Sequence, residues 1–334
     1  MTNATKVEES YFQEKIVSRY TDVISSKLGG EIVSVSNEWF AKAENLIKPG
    51  KPIREAARFT FAGAWYDGWE TRRHNPEIAD WVIFKMGVAS ARLIGCEVDT
   101  AYFNGNQAPY ISVEASTSGD IDANWEEIIP KVACGPSQRH FFIRNEGLTD
   151  TAYTHARLRM YPDGGIARFR LFGKVVPIAT LDASAVINSA SCLQGGVCVS
   201  ASDQHFSPAS NILLPGRGHD MSDGWETTRS REEGHVDWAI VKLGFRTRVS
   251  KITVDTAFFR GNYPESITVE GIDTKEESPA SDDKGWKFIV ERSKTTADAE
   301  HDYAIEGGEF YTHVKLTMIP DGGVKRLNVW GTAV

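Results

Sequence analysis

The stretch Asp67-Gly68-Trp69-Glu70-Thr71-Arg72-Arg73 returns later in the chain as Asp223-Gly224-Trp225-Glu226-Thr227-Thr228-Arg229. The residues downstream of each copy also match. The first continues Asp80-Trp81-Val82-Ile83-Phe84-Lys85-Met86-Gly87, the second Asp237-Trp238-Ala239-Ile240-Val241-Lys242-Leu243-Gly244. Self-similarity of this kind marks a duplicated domain and is read before any fold is assigned.

Outward from this stretch the match continues. Asn45-Leu46-Ile47-Lys48-Pro49-Gly50 corresponds to Asn211-Ile212-Leu213-Leu214-Pro215-Gly216. Asp99-Thr100-Ala101-Tyr102-Phe103-Asn104-Gly105-Asn106 corresponds to Asp255-Thr256-Ala257-Phe258-Phe259-Arg260-Gly261-Asn262. Positions 67 and 223, like positions 99 and 255, lie 156 apart. Near the end of each copy, Met160-Tyr161-Pro162-Asp163-Gly164-Gly165 corresponds to Met318-Ile319-Pro320-Asp321-Gly322-Gly323. The matches divide the chain into a partly helical lead-in over 1–30, a first repeat over 31–173, a linker over 174–197 and a second repeat over 198–334.

Within a repeat the periodicity is that of strands. Ile111, Val113 and Ala115 alternate with Ser112, Glu114 and Ser116, and Ala156, Leu158 and Met160 alternate with His155, Arg157 and Arg159. Two-residue alternation marks half-buried strands. Many short strands between Gly, Pro, Asn and Asp turns mark a β-sandwich. The predicted fold is all-β, a tandem duplicated antiparallel β-sandwich. The order of signals resembles the discoidin or galactose-binding-like jelly roll. In that arrangement the loop after the first strand (37–45, and 203–211 in the second copy) shares one end with the loop before the last strand (162–168 and 320–326).

Composition narrows the function. With 41% hydrophobic and 25% charged residues, the chain reads as an ordinary globular protein. A net charge of −8 argues against nucleic acid as a partner. No apolar run approaches membrane-spanning length, and the first ten residues lack the apolar centre of a secretory signal, so no membrane association and a cytoplasmic location are expected. Cys96, Cys134, Cys192 and Cys198 are therefore read as free thiols. A homo-oligomer is expected, because sandwich edges and faces need cover.

The Asp-Gly-Trp-Glu-Thr-Arg-Arg-His-Asn run, its Asp-Gly-Trp-Glu-Thr counterpart and the paired Pro-Asp-Gly-Gly elements resemble the allantoicase family, over nearly the whole chain from about residue 25. The resemblance implies a hydrolase of purine (allantoin) degradation that converts allantoate and water to (S)-ureidoglycolate and urea. The residues suit such a substrate, which carries a carboxylate and two ureido groups on one carbon. Arg72, Arg73 and Arg168 offer planar forks for the carboxylate, with Arg229 and Arg326 in the second repeat. Taken singly, each also reads as a salt-bridged surface arginine. Glu70, His74 and Asp99 are the catalytic candidates, since urea leaves poorly unless protonated. Glu70 reads equally as a loop-fixing carboxylate, and Asp99 equally as a structural hydrogen-bond partner. Trp69, Asn106 and Asp163 complete the substrate-binding set, although Trp69 reads more readily as a hydrophobic anchor. Glu226, Asp255, Asn262 and Asp321 are the remaining second-repeat equivalents. Asp67 and Asp223, preceding Gly, read as turn formers.

There is no His-x-His, no His-Glu-x-x-His and no cysteine cluster, so no cofactor is evident and the candidate metal ligands are none; a divalent ion held by residues distant in sequence stays open. No nucleophile elbow or phosphate loop is present. The competing readings are a non-catalytic tandem jelly-roll module binding a carbohydrate or small anion, and a scaffold whose aromatic loops hold another protein.

Overall fold

The structure, a computed structural model, describes residues 3–178, 182 and 184–334. Residues 1–2 of the lead-in and 179–181 and 183 of the linker lie outside the described residues. The chain forms two compact units, divided after Ile178.

The first unit has two five-stranded antiparallel sheets. One orders Ala4–Val7, Arg139–Arg144, Ala91–Asp99, Arg168–Val175 and Thr21–Asp22. The other orders Glu126–Ala133, Tyr110–Ser116, His155–Tyr161, Asp80–Lys85 and Glu31–Val35. The alternation at 156–160 is realised as read: Ala156, Leu158 and Met160 are buried and their neighbours are half-exposed. Apolar rings bridge the layers, with Phe84 and Phe169 5.5 Å apart. Burying such a ring contributes about 1.5–3 kcal/mol, which is why the inward positions tolerate little else.

The segment read as a lead-in belongs to this sandwich. Ala4–Val7 and Thr21–Asp22 are its edge strands. The short helix Glu9–Phe12 and the wide helical turn Gln13–Val17 between them seat Phe12 and Ile16 on Ile94, Phe141 and Phe172. The sheet is thereby covered on its outer face, so the strand Ala91–Asp99 is buried on both sides.

In the second unit the strand Asp237–Asp255 runs through 19 residues. Its first part pairs with Val197–Ala201 and Phe310–Ile319, its second with Glu300–Ala304 and Arg326–Ala333, so one strand serves both layers. In the first unit the same run is broken into Asp80–Lys85 and Ala91–Asp99. From the segment read as a linker, Ile187–Asn188 pairs with Trp330 and Gly331 of this unit. Among the described residues no helix is long and apolar enough to cross a membrane.

All four cysteines are free. Burial raises the thiol pKa to about 12 at Cys134, Cys192 and Cys198, and well above the ordinary value at Cys96. Thiolate, not thiol, is the reactive form. Native protein should therefore label slowly with a thiol reagent near neutral pH, and denatured, unreduced protein should titrate four thiols. Fewer than four in material kept from air would refute the free-thiol assignment.

Candidate active site

The site is assembled around the two-residue strand Trp69–Glu70. On one side Glu70 pairs with Gly165, from the loop before the last strand. On the other, Phe40 and Ala41 of the loop after the first strand donate to the Glu70 carbonyl at 3.2 and 3.3 Å. The two loops placed at one end by the sequence thus meet across Glu70. Gly165 has to be glycine, because a Cβ there would lie 2.2 Å from the Phe103 ring.

Glu70 is 8% exposed, and its Oε1 accepts a 2.7 Å bond from Asn106 Nδ2. Burial raises its pKa above the ordinary carboxylate value, and the Asn106 bond and the Arg73 charge offset this only in part. Arg73 forms the neighbouring wall. Its Nη1 donates to Asp163 Oδ1 at 3.2 Å and its Nη2 to the Gly105 carbonyl at 3.1 Å, while the side chain stays 38% exposed. Asp163 is buried, and its other oxygen accepts from Asn75 N–H at 3.1 Å. Its place is to orient Arg73, with both oxygens taken by the protein. Arg72 lies over the Trp39 ring, 3.8 Å from its centroid. His74 is exposed on the same loop, in the left-handed region at φ 63°.

Three of the sequence candidates stand elsewhere. Trp69 is fully buried and donates its indole N–H to the Asn37 carbonyl at 2.7 Å, so it anchors a loop and offers no face to a ligand. Arg168 is buried too. It donates to Asp67 Oδ2 at 2.6 Å and to the Asp67 carbonyl at 3.0 Å, which makes Asp67 a buried ion-pair partner as well as a turn residue. Arg326 repeats this with Asp223 at 2.8 Å; burial lowers its pKa to about 10, which leaves it charged at neutral pH. Asp99 lines a separate cleft with Lys51, Tyr102, Gln138 and Arg139, one that contains none of Glu70, Arg73 and His74. Glu70, His74 and Asp99 are therefore not one constellation.

The second repeat keeps the Glu–Asn frame. Asn262 Nδ2 donates to Glu226 Oε1 at 2.5 Å, Arg229 Nη2 to the Gly261 carbonyl at 3.3 Å, and Ser230 N–H to Asp321 Oδ2 at 2.9 Å. Among the described residues no ion pair joins Arg229 to Asp321. Asp255 is held by Arg217 through two bonds of 2.8 and 2.9 Å.

Sequence reading missed an insertion. Sixteen residues separate Gly50 from Asp67, but only six separate Gly216 from Asp223. The extra length forms a hairpin of Phe59–Thr60 and Gly63–Ala64. At its tip Phe61 is 87% exposed, with its ring 5.6 Å from Trp39. A cleft of about 660 Å³ opens there between Asn37, Trp39, Arg58, Phe61 and Trp65. Counting residues between the matched glycine and aspartate would have located it. Among the described residues no group of three or more His, Cys, Asp and Glu side chains is placed to hold a metal ion.

Fold and site define an all-β protein of two tandem jelly rolls, each with a hydrogen-bonded Glu–Asn pair in its matched loops. A family model described as the allantoicase repeat matches residues 21–176 and 187–334. An allantoicase of Saccharomyces cerevisiae is 56% identical over 335 residues, covering 97% of this chain and 98% of the relative. One of Neurospora crassa is 48% identical over 338 residues, covering 98% and 95%. The crystal structure of the Saccharomyces cerevisiae allantoicase matches with a TM-score of 0.88 at 52% identity, covering 98% of this chain and 100% of that one. The chain belongs to the allantoicase family.

Proposed function

We infer that this chain is a hydrolase that converts allantoate and water to (S)-ureidoglycolate and urea in purine degradation, and that the Glu70 cluster of the first repeat performs the step. The observation that carries the assignment of the cluster is the buried Glu70 carboxyl, with its raised pKa, beside the half-exposed Arg73 fork. A carboxyl whose proton is held more tightly than usual suits a general acid, and a guanidinium edge open to solvent suits the substrate carboxylate. In the reaction the C–N bond to one ureido group breaks. The bonding pair stays with nitrogen, which takes the Glu70 proton as urea departs. Water oxygen bonds to the same carbon, and its proton returns to the Glu70 carboxylate. Asn106 holds Glu70 in place, and Asp163 aims Arg73. No residue of the chain is assigned to a cofactor.

A non-catalytic binding module is not favoured, since the near-full-length relatives are allantoicases. Urea release from allantoate by the purified chain, with the Glu70→Gln variant alongside, tests the reading. No urea from the unaltered chain would overturn the activity, and full activity in the variant would overturn the site.

We also propose a cytoplasmic homo-oligomer. Among the described residues Glu31–Val35 and Glu126–Ala133 end a sheet of the first unit with unpaired edges, which a second copy can cover. Light scattering should give a mass above the 37.0 kDa of one chain. A monomer mass at every concentration counts against it.

A further inference from the structure

We propose that Trp39 is a positioning residue for the reaction: its indole presets the Arg72 guanidinium as a second fork for the substrate, beside Arg73. Arg72 belongs to the face that carries Glu70. Backbone N–H groups alternate in direction along this segment, from Glu70 to the Ala41 carbonyl, from Thr71 to the Gly164 carbonyl and from Arg72 to Asn37 Oδ1. The chain is thus extended through Arg72, and side chains of an extended chain alternate between faces. Trp69 and Thr71 take the fully buried face, so Glu70 and Arg72 share the other. Trp39 stands against Arg72, and Ala41, two residues on, stands across from Glu70.

A stack, not a salt bridge, holds the guanidinium. Arg72 Cζ lies 3.8 Å from the Trp39 ring centroid, well inside the reach of a cation–π contact, and Asn37 Oδ1 accepts from both Trp39 N–H and Arg72 N–H at 3.1 Å. Among the described residues nothing accepts a hydrogen bond from the Arg72 guanidinium, whereas the Nη atoms of Arg168 are taken by Asp67. A ring face restrains a guanidinium and leaves the donors in its plane free, the state a ligand fork needs. The second repeat keeps the same backbone frame. There Asp203 takes the Thr228 N–H at 2.5 Å with a side-chain oxygen and the Trp225 indole N–H at 2.9 Å with its carbonyl, as Asn37 does for Arg72 and Trp69. It lacks what is mounted on the frame: His205 stands for Trp39, Thr228 for Arg72, and six residues stand where the first repeat has its hairpin. That hairpin, closed by Trp65 N–H on the Arg58 carbonyl at 3.0 Å, sets the Phe61 ring edge-on to Trp39. Phe61 is exposed, so it adds nothing to the core. Hairpin and arginine, both absent from the second repeat, meet on the two sides of Trp39 in the first.

This inference rests on the reading that the Glu70 cluster acts on allantoate, and deepens it. That substrate offers a carboxylate and two ureido carbonyls, acceptors enough for two guanidinium forks. Asp163 fixes Arg73 and the Trp39 face fixes Arg72. Trp39 touches no reacting atom; its part is to remove beforehand the rotamer freedom that Arg72 would otherwise lose on binding.

Kinetics with allantoate are paired with calorimetric titration of N-carbamoylglycine, a ureido carboxylate whose binding is read apart from urea release. The chains are the unaltered protein, Trp39→Ala, Trp39→Phe, Arg72→Ala, and Trp39→Ala combined with Arg72→Ala, each checked by thermal melting. Trp39→Ala should weaken probe binding about three- to tenfold, the effect of leaving one long side chain to be ordered on binding, and raise KM by a like factor with little change in kcat. Arg72→Ala should lose at least as much. Adding Trp39→Ala to Arg72→Ala should change binding by less than about twofold, because Trp39 acts through Arg72. Trp39→Phe keeps a ring face and should recover most of the loss. If Trp39→Ala melts early, Phe61→Ala takes its place in the cycle and should weaken binding only where Arg72 is present. If the probe binds too weakly to titrate, KM decides. Losses that add across the two positions, an unmoved KM in Trp39→Ala, a loss confined to kcat, or a Trp39→Phe chain as weak as Trp39→Ala would each overturn the positioning role. An unaltered chain that binds the probe with these dependences but releases no urea would overturn only the activity.

Discussion

Glu70→Gln should lower kcat/KM for allantoate by about 10²- to 10⁴-fold while leaving the fold intact, the range that a positioned general acid contributes. Gln keeps the shape of the side chain, and its carbonyl oxygen can still accept the Asn106 bond now received by Glu70 Oε1. What it lacks is the proton for the departing urea nitrogen. The pH profile separates this from mere loss of packing. Burial raises the Glu70 pKa, so the acid form persists to higher pH than on a solvated carboxyl. Activity that needs the acid form is present below that pKa and falls as pH rises through it. The unaltered chain should show this limb in kcat/KM, and the variant should lose it. A loss smaller than tenfold, or a variant with the same limb, would remove Glu70 from the acid role. Glu226→Gln, which touches the matching Asn262 bond, should cost far less.

Much of the fold was legible because its signals are local. The repeated Asp-Gly-Trp-Glu and Pro-Asp-Gly-Gly elements are turns and short strands, and a single alternating run such as 155–161 determines which side chains face inward. The covering of the outer sheet was not legible. Phe12 and Ile16 are spaced by one helical turn, which shows an apolar stripe but not that Ile94, Phe141 and Phe172 receive it. The site was legible in its residue types and only partly in their partners. Arg73 and Arg168 look alike in sequence. One reaches Asp163 with a third of its side chain in solvent, while the other is sealed against Asp67 across a separation of 101 residues. Asp99 and Glu70 lie at the same end of one sandwich. Yet Glu70 is bonded to Asn106 and Asp99 opens on the cleft of Lys51, a division no spacing rule supplies.

Arg73→Ala and Arg229→Ala decide which repeat captures the substrate. Both arginines donate to a glycine carbonyl of the matched loop, Gly105 and Gly261. Among the described residues only Arg73 is also fixed by a carboxylate, at 3.2 Å from Asp163 Oδ1. A guanidinium held on two sides loses less freedom on binding, and its exposed edge becomes desolvated when a carboxylate lands on it. Its neighbourhood adds Arg72 and His74, where the second repeat has Thr228 and Ser230. Removing one partner of a desolvated charge pair costs roughly 2–5 kcal/mol. Arg73→Ala should therefore lose that much in kcat/KM for allantoate, and Arg229→Ala much less. Arg73→Ala also strips the buried Asp163 of its ion pair, so thermal melting has to accompany the kinetics. Arg73→Lys separates the two effects. It keeps a charge near Asp163 and so spares stability, but a single ammonium cannot present two parallel donors, so KM should rise while the fold holds. Equal losses from the two alanine variants, or the larger loss from Arg229→Ala, would move substrate capture to the second repeat.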